Sequence, residues 1–215
     1  MKSISFFETT IRCLGGLLSA YDLIGDKVLL EKAKDLGGRL EKAFSSPSGM
    51  PWAQISLATG SGSAPSWTGG SLLLAEVGTV QLEFFGLAHH SGEGHFREKA
   101  QRVIDLLDQN GGPLTDGGRL WPIHVRPESG RVAGSQVSWG AMGDSYYEYL
   151  LKMWLYTGKK HEQCAAPTRL GPTPRAHRRT LAHASSTTSS PRSASRSSSR
   201  SSRYYPGTSG CTSSR

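Results

Sequence analysis

Three features of this 215-residue chain predict an all-α architecture of paired helices. Apolar residues recur every three or four positions through five separate segments. Three glycines that close such segments, Gly25, Gly92 and Gly158, lie 67 and 66 residues apart. That spacing marks an internal repeat of helix, tight turn, helix and long loop. Each repeat opens with an acid, Glu8, Glu76 or Asp144, set 17, 16 or 14 residues before its glycine. The repeat therefore predicts three carboxylates on one rim, with the long loops on that rim too.

The elements follow in order. Residues 6–24 read as a helix, with Phe7, Ile11, Leu14, Leu18 and Tyr21 on one face, and Gly25-Asp26 breaks it. Residues 27–44 read as its partner, with Leu29, Ala33, Leu36, Leu40 and Phe44 aligned. The Ser-, Gly- and Pro-rich stretch 45–70 reads as a loop, with a short strand over Gln54-Ile55-Ser56-Leu57. Helices are expected over 71–90 and 95–109, separated by Ser91-Gly92-Glu93-Gly94. The loop 110–138 alternates weakly over 120–132, and Pro127-Glu128-Ser129-Gly130 predicts a hairpin turn there. A fifth helix is expected over 143–157. Its partner has no counterpart in the sequence that follows. Residues 1–162 thus read as one incomplete helical domain.

The formal charge of +8 suggests an anionic partner until it is located. Residues 1–163 carry all 17 acids and 16 of the 25 Lys and Arg, a net of −1. Residues 164–215 carry nine Arg, fourteen Ser and no acid. The helical part is near neutral, and no nucleic-acid partner is expected for it. The segment 163–215 reads as low-complexity, disordered or out of frame, because it offers little apolar area to offset its ordering entropy. Cys13, Cys164 and Cys211 form no disulfide framework, and Cys13 falls in an apolar helical pattern that predicts a buried thiol. No run of about 18 apolar residues predicts a membrane span, and Glu8 and Arg12 interrupt any signal-peptide core.

Carboxylates gathered on one rim suit glycoside hydrolysis, in which one acid protonates the leaving oxygen and another activates water or attacks the sugar. Trp67, Phe84, Trp139, Tyr146 and Tyr147 lie near them in sequence and are candidates for stacking on sugar rings. Structural readings stand beside each. Ser5-Phe6-Phe7-Glu8 also fits a capping box, Asp144 an N-cap, Glu76 a first-turn acid favoured by the helix dipole, and Arg12 an ion pair with Glu8 one turn away. His89, His90 and His95 cluster at a turn, where solvation is a simpler explanation than metal ligation.

Four blocks sharpen this reading. They are Phe7-Glu8-Thr9-Thr10-Ile11-Arg12-Cys13-Leu14-Gly15-Gly16-Leu17-Leu18-Ser19-Ala20-Tyr21, Trp67-Thr68-Gly69-Gly70, Leu74-Ala75-Glu76-Val77-Gly78-Thr79-Val80-Gln81-Leu82-Glu83-Phe84, and Gly143-Asp144-Ser145-Tyr146-Tyr147-Glu148-Tyr149-Leu150-Leu151-Lys152. In order and spacing they resemble glycoside hydrolase family 47, the class I α-1,2-mannosidases. The resemblance implies an (α/α)7 barrel, of which this chain supplies about two and a half hairpins. It implies inverting removal of α-1,2-linked mannose from high-mannose N-glycans in the endoplasmic reticulum or Golgi lumen, or outside the cell, with a calcium ion in the complete domain. By position, Glu8 matches the family's general acid and Asp144 a second active-site carboxylate. Arg12, Glu76, Glu83 and Glu148 fall at sugar-pocket positions. The family's base and its calcium-holding threonine lie in its C-terminal half, so the resemblance also implies that this chain alone lacks both. A non-catalytic, glycan-recognising member of the same fold is the alternative.

Overall fold

A computed structural model describes residues 3–110 and 120–159. The segment 163–215 lies outside the described residues, so the expectation of disorder there is not addressed.

The expected helical hairpins are present. The first helix begins as α1 (Phe6–Thr9), passes through a π-helical turn over Thr10–Leu14, and continues as α2 (Gly15–Ile24). Gly25 ends it in the left-handed region at φ 75°, a conformation that glycine adopts without a Cβ clash. Asp26 then caps α3 (Lys27–Leu40), its side chain accepting from the Val28 N–H at 2.9 Å. The second hairpin holds α4 (Leu74–Val77), α5 (Gln81–Ser91) and α6 (Gly94–Asn110), with Gly92 turning at φ 75°. Finally α7 (Asp144–Tyr156) opens a third hairpin.

Two small antiparallel sheets repeat the same plan. Strand β1 (Ile4–Ser5) pairs with β2 (Gln54–Ile55), which pairs with β3 (Gly62–Ser63). Strand β4 (Leu72–Leu73) pairs with β5 (His124–Val125), which pairs with β6 (Val132–Ala133). In each unit the strand leading into an inner helix is clamped by the hairpin that follows the outer helix. Both hairpins turn alike: Gly60 N–H donates to Ser56 O, and Gly130 N–H donates to Arg126 O.

Two departures from the sequence reading concern the inner helices. The helix expected over 71–90 is broken. Leu72–Leu73 is strand, and Gly78–Val80 separates α4 from α5. The Tyr146 ring lies against Gly78, so that a Cβ there would stand 2.2 Å from Tyr146 Cδ2 and 2.9 Å from the Leu74 carbonyl oxygen. The first helix turns a different face inward. Phe6, Thr10, Leu14 and Leu18 are buried, whereas Phe7 and Ile11 are only partly so. A π turn takes more residues per turn than an α turn, so a strict four-residue spacing stays in phase across Thr10–Leu14. The same shift leaves Cys13 exposed, correcting the expected buried thiol.

One core binds these elements. Phe6, Phe44, Phe84 and Phe96 form a chain of rings, with centroids 5.5 Å apart for Phe6–Phe44, 5.3 Å for Phe44–Phe84 and 6.1 Å for Phe84–Phe96. It links α1, the 3-10 turn at Glu41–Ser45, α5 and α6. Such pairs add about 0.5–1.5 kcal/mol each beyond area burial.

The inner helices lie side by side in register. A Cβ on Gly15 would meet Glu83 Cγ at 3.4 Å, and one on Gly86 would meet Leu18 Cδ1 at 3.6 Å. Thr79 and Ser145 hydroxyls are 3.0 Å apart, and Tyr149 OH donates to Glu83 Oε1 at 2.8 Å. The last two pairs are each separated by 66 residues, the spacing of the repeat itself. Equivalent residues of neighbouring hairpins therefore touch, and the starts of α1, α4 and α7 share one end of the assembly.

Candidate active site

Glu8 lies in the first turn of α1. Its N–H donates to the Ser5 hydroxyl at 3.2 Å, which is half of the expected capping box. Its carboxylate does not complete the box but accepts from Arg12 Nε one turn on. Both side chains stay substantially exposed. The carboxylate holds the Arg12 guanidinium proton more tightly, through the hydrogen bond first and charge second.

Glu76 enters from the next hairpin, on the single turn α4. It is partly buried, and its Oε2 is shielded from solvent with no hydrogen-bond partner. Burial pushes its carboxyl above the usual carboxylate range, and the negative charge of Glu8 pushes it further. Acids 68 positions apart in sequence thus act on one another. Ala75 N–H donates to Met142 O at 3.0 Å, which fastens the segment carrying Glu76 to the loop that leads into Asp144.

Asp144 is the first residue of α7 and is exposed. It does not occupy the N-cap: Gly143 does, without a side-chain cap. Asp144 Oδ1 instead accepts from the Ser145 N–H at 2.9 Å, leaving its outer oxygen open. Glu8, Arg12, Glu76 and Asp144 therefore come to the same end of neighbouring helices.

The other two candidates do not join them there. Glu83 is 9% exposed and lies two helical turns further along, between Gly15 and Tyr149. Burial raises its carboxyl above the usual range, while the Tyr149 hydrogen bond and the Lys152 charge oppose that rise. Its Oε2 is buried without a partner. Burial first, and the charge of Glu83 second, push the Tyr149 hydroxyl well up in turn. Glu148 sits exposed on α7, ion-paired with Lys152. The histidines find separate partners, His90 with Asp22 at 2.9 Å and His95 with Glu41 at 3.5 Å.

Tyr149 and Tyr146 are the residues that sequence reasoning passed over as structural anchors. The signal was present in the repeat: the offset from Glu83 to Tyr149 equals the spacing from Gly92 to Gly158. Aromatic character alone did not say that one of these tyrosines would hold a buried acid.

Residues 1–188 match the sequence profile of glycosyl hydrolase family 47. The chain belongs to this family. It is 48% identical over 156 residues to the mannosyl-oligosaccharide 1,2-alpha-mannosidase MNS1 of Arabidopsis thaliana, covering 72% of this chain and 27% of that protein. It is 43% identical over 161 residues to the human endoplasmic reticulum mannosyl-oligosaccharide 1,2-alpha-mannosidase, covering 74% of this chain and 22% of that protein. Among solved structures it is similar to an alpha-1,2-mannosidase from Trichoderma reesei. The TM-score there is 0.69 at 30% identity, over 85% of this chain and 38% of the other. The chain thus spans about a quarter of the length of these curated relatives. Among the described residues, no helix is long and apolar enough to cross a membrane.

Proposed function

We propose that this chain forms the acid-bearing portion of a family 47 site that removes terminal α-1,2-linked mannose from high-mannose N-glycans. The observation that carries the reading is the electrostatic coupling of Glu8 to Glu76 at the shared end of two inner helices. Paired carboxyl groups on a common rim are the minimum that acid-assisted glycoside cleavage needs.

In this mechanism Glu8 delivers the proton to the glycosidic oxygen. Arg12 Nε orients one of its oxygens and leaves the other for the substrate. Glu76 is the partner that binds a proton more tightly and so keeps negative charge from accumulating beside Glu8. Asp144 orients a sugar hydroxyl or water through its open oxygen. Glu148 and Lys152, exposed on α7, extend the polar surface toward the substrate. Water is activated by a carboxylate beyond this chain, at the separation of about 6.5–9.5 Å that inversion requires. Among the described residues, no group of three or more His, Cys, Asp or Glu side chains is arranged to hold a metal ion. These residues by themselves do not fit a calcium site, and no step is routed through one. Relatives from rat and human are named as endoplasmic reticulum enzymes. We place this chain's activity in the same secretory route, in the endoplasmic reticulum or Golgi lumen or outside the cell.

The test is mannose release from α-1,2-mannobiose by this chain combined with the remaining C-terminal part of the Arabidopsis relative. Glu8→Gln is expected to lower kcat by about 10²–10⁴-fold, the usual contribution of a positioned acid, with KM little changed. Undiminished release by Glu8→Gln would sink the acid role. Glycan binding without release by the unmodified combination would point instead to the non-catalytic member of the fold.

A further inference from the structure

We propose that Trp67 is a stacking platform for a pyranose ring of the oligosaccharide, outside the position of cleavage. The proposal rests on the reading given under Proposed function and adds a second contact to it.

Large exposed apolar side chains elsewhere in the molecule have a structural explanation, and Trp67 does not. Leu151, Leu155 and Tyr156 are exposed on α7, whose hairpin has no outer helix among the described residues. Leu151 stands where Leu18 and Phe85 stand in the preceding inner helices, and those two are 6% and 4% exposed. Leu23, Ile24 and Val28 surround the turn of the first hairpin, which has a neighbouring hairpin on one side only. Trp139 belongs to the segment entering α7, at the place where β1 and β4 each receive a two-stranded hairpin. No such hairpin pairs with it among the described residues. Trp139 also has a ring partner, Tyr147, at 4.4 Å and 31°.

Trp67 lies in the middle hairpin, flanked by neighbours on both sides, and its sheet is complete. It is nevertheless 67% exposed. Leaving an indole in water forgoes about 25 cal/mol for each Å² of apolar surface that burial would cover. The loop around it is braced: Thr68 Oγ1 lies 2.8 Å from Pro65 O and 2.5 Å from Ser71 O. Beyond it Gly69 and Gly70 take φ of 63° and 84°, and a Cβ on either would meet nothing within 4 Å. An aromatic ring is thus held on a pinned loop beside open space, on the strand that leads directly to Glu76. A pyranose presents one face of C–H bonds, which suits the negative face of an indole, while the indole N–H remains free for a hydroxyl.

The test titrates the full 215-residue chain with methyl α-mannoside and with linear α-1,2-mannotriose, by calorimetry. The trisaccharide is expected to bind at least about tenfold more tightly than the monosaccharide. Trp67→Ala should abolish that advantage, and Trp67→Tyr should keep it within about threefold. The exposed position means that both variants should unfold at the wild-type urea concentration, which separates lost contact from lost fold. An unchanged trisaccharide affinity in Trp67→Ala overturns the platform, as does a wild-type chain that binds no trisaccharide. Loss of the platform with monosaccharide binding intact leaves the cleavage site standing. Trp67-dependent binding of cellotriose in preference to mannotriose would support the platform and overturn the mannose reading.

Discussion

The contact between Gly78 and Tyr146 can be tested with a single methyl group. Gly78→Ala places a Cβ 2.2 Å from Tyr146 Cδ2, where van der Waals contact needs at least about 3.4 Å. Tyr146 has little room to retreat: it is 2% exposed, with Trp121 and Tyr147 packed edge-on at 5.8 and 5.3 Å. The Leu74 carbonyl, 2.9 Å from the new atom, is backbone and is held by the same short helix. Overpacking of this kind costs about 1–3 kcal/mol, which urea unfolding followed by tryptophan fluorescence resolves. Because Gly78 is two residues from Glu76 and Tyr146 two from Asp144, relief of the clash must separate those acids. Mannose release by the recombined enzyme should therefore fall more than stability alone accounts for. In a double-mutant cycle, Tyr146→Ala should remove most of the penalty, since it takes away the clashing ring. A Gly78→Ala protein within about 0.5 kcal/mol of wild type would refute the packing account.

Other substitutions test the remaining seams. Glu83→Gln keeps an acceptor for Tyr149 and removes a buried charge. The folded-state proton affinity of Glu83 is raised, so its favourable contribution is complete below the ordinary carboxylate range and is lost as pH rises through the folded value. Glu83→Gln should therefore gain stability relative to wild type as pH rises from about 5 to 8, at about 1.4 kcal/mol for each tenfold difference in proton affinity. Parallel urea midpoints for the two proteins across that range would contradict this. Gly16 lies within α2, and a Cβ added there would meet nothing within 4 Å, so Gly16→Ala should stabilise by about 0.5–1 kcal/mol in the same assay. Leu151→Glu with Leu155→Glu should reduce binding of a hydrophobic dye without lowering the unfolding midpoint, because both side chains are exposed on α7.

Local spacing was enough to find five helical segments, the turn glycines and the hairpin around Pro127–Gly130, because these depend on short-range backbone preferences and on which residues avoid water. The repeat of 66–67 residues also placed Glu8, Glu76 and Asp144 at equivalent points, and the structure puts them at the same end of registered helices. What spacing did not reveal is where a helix departs from uniform geometry. The π turn over Thr10–Leu14 decides that Thr10 faces the core and Cys13 faces water. The break at Gly78–Val80 decides that Leu72–Leu73 is strand, and that Glu83 starts a new helix between two neighbours. Both irregularities are set by side chains from other hairpins, tens of residues away, so a periodic pattern read along one segment carries no record of them. The chain alone determined which residues bear the chemistry; contacts between hairpins decided which acids stand at the rim and which is sealed beneath it.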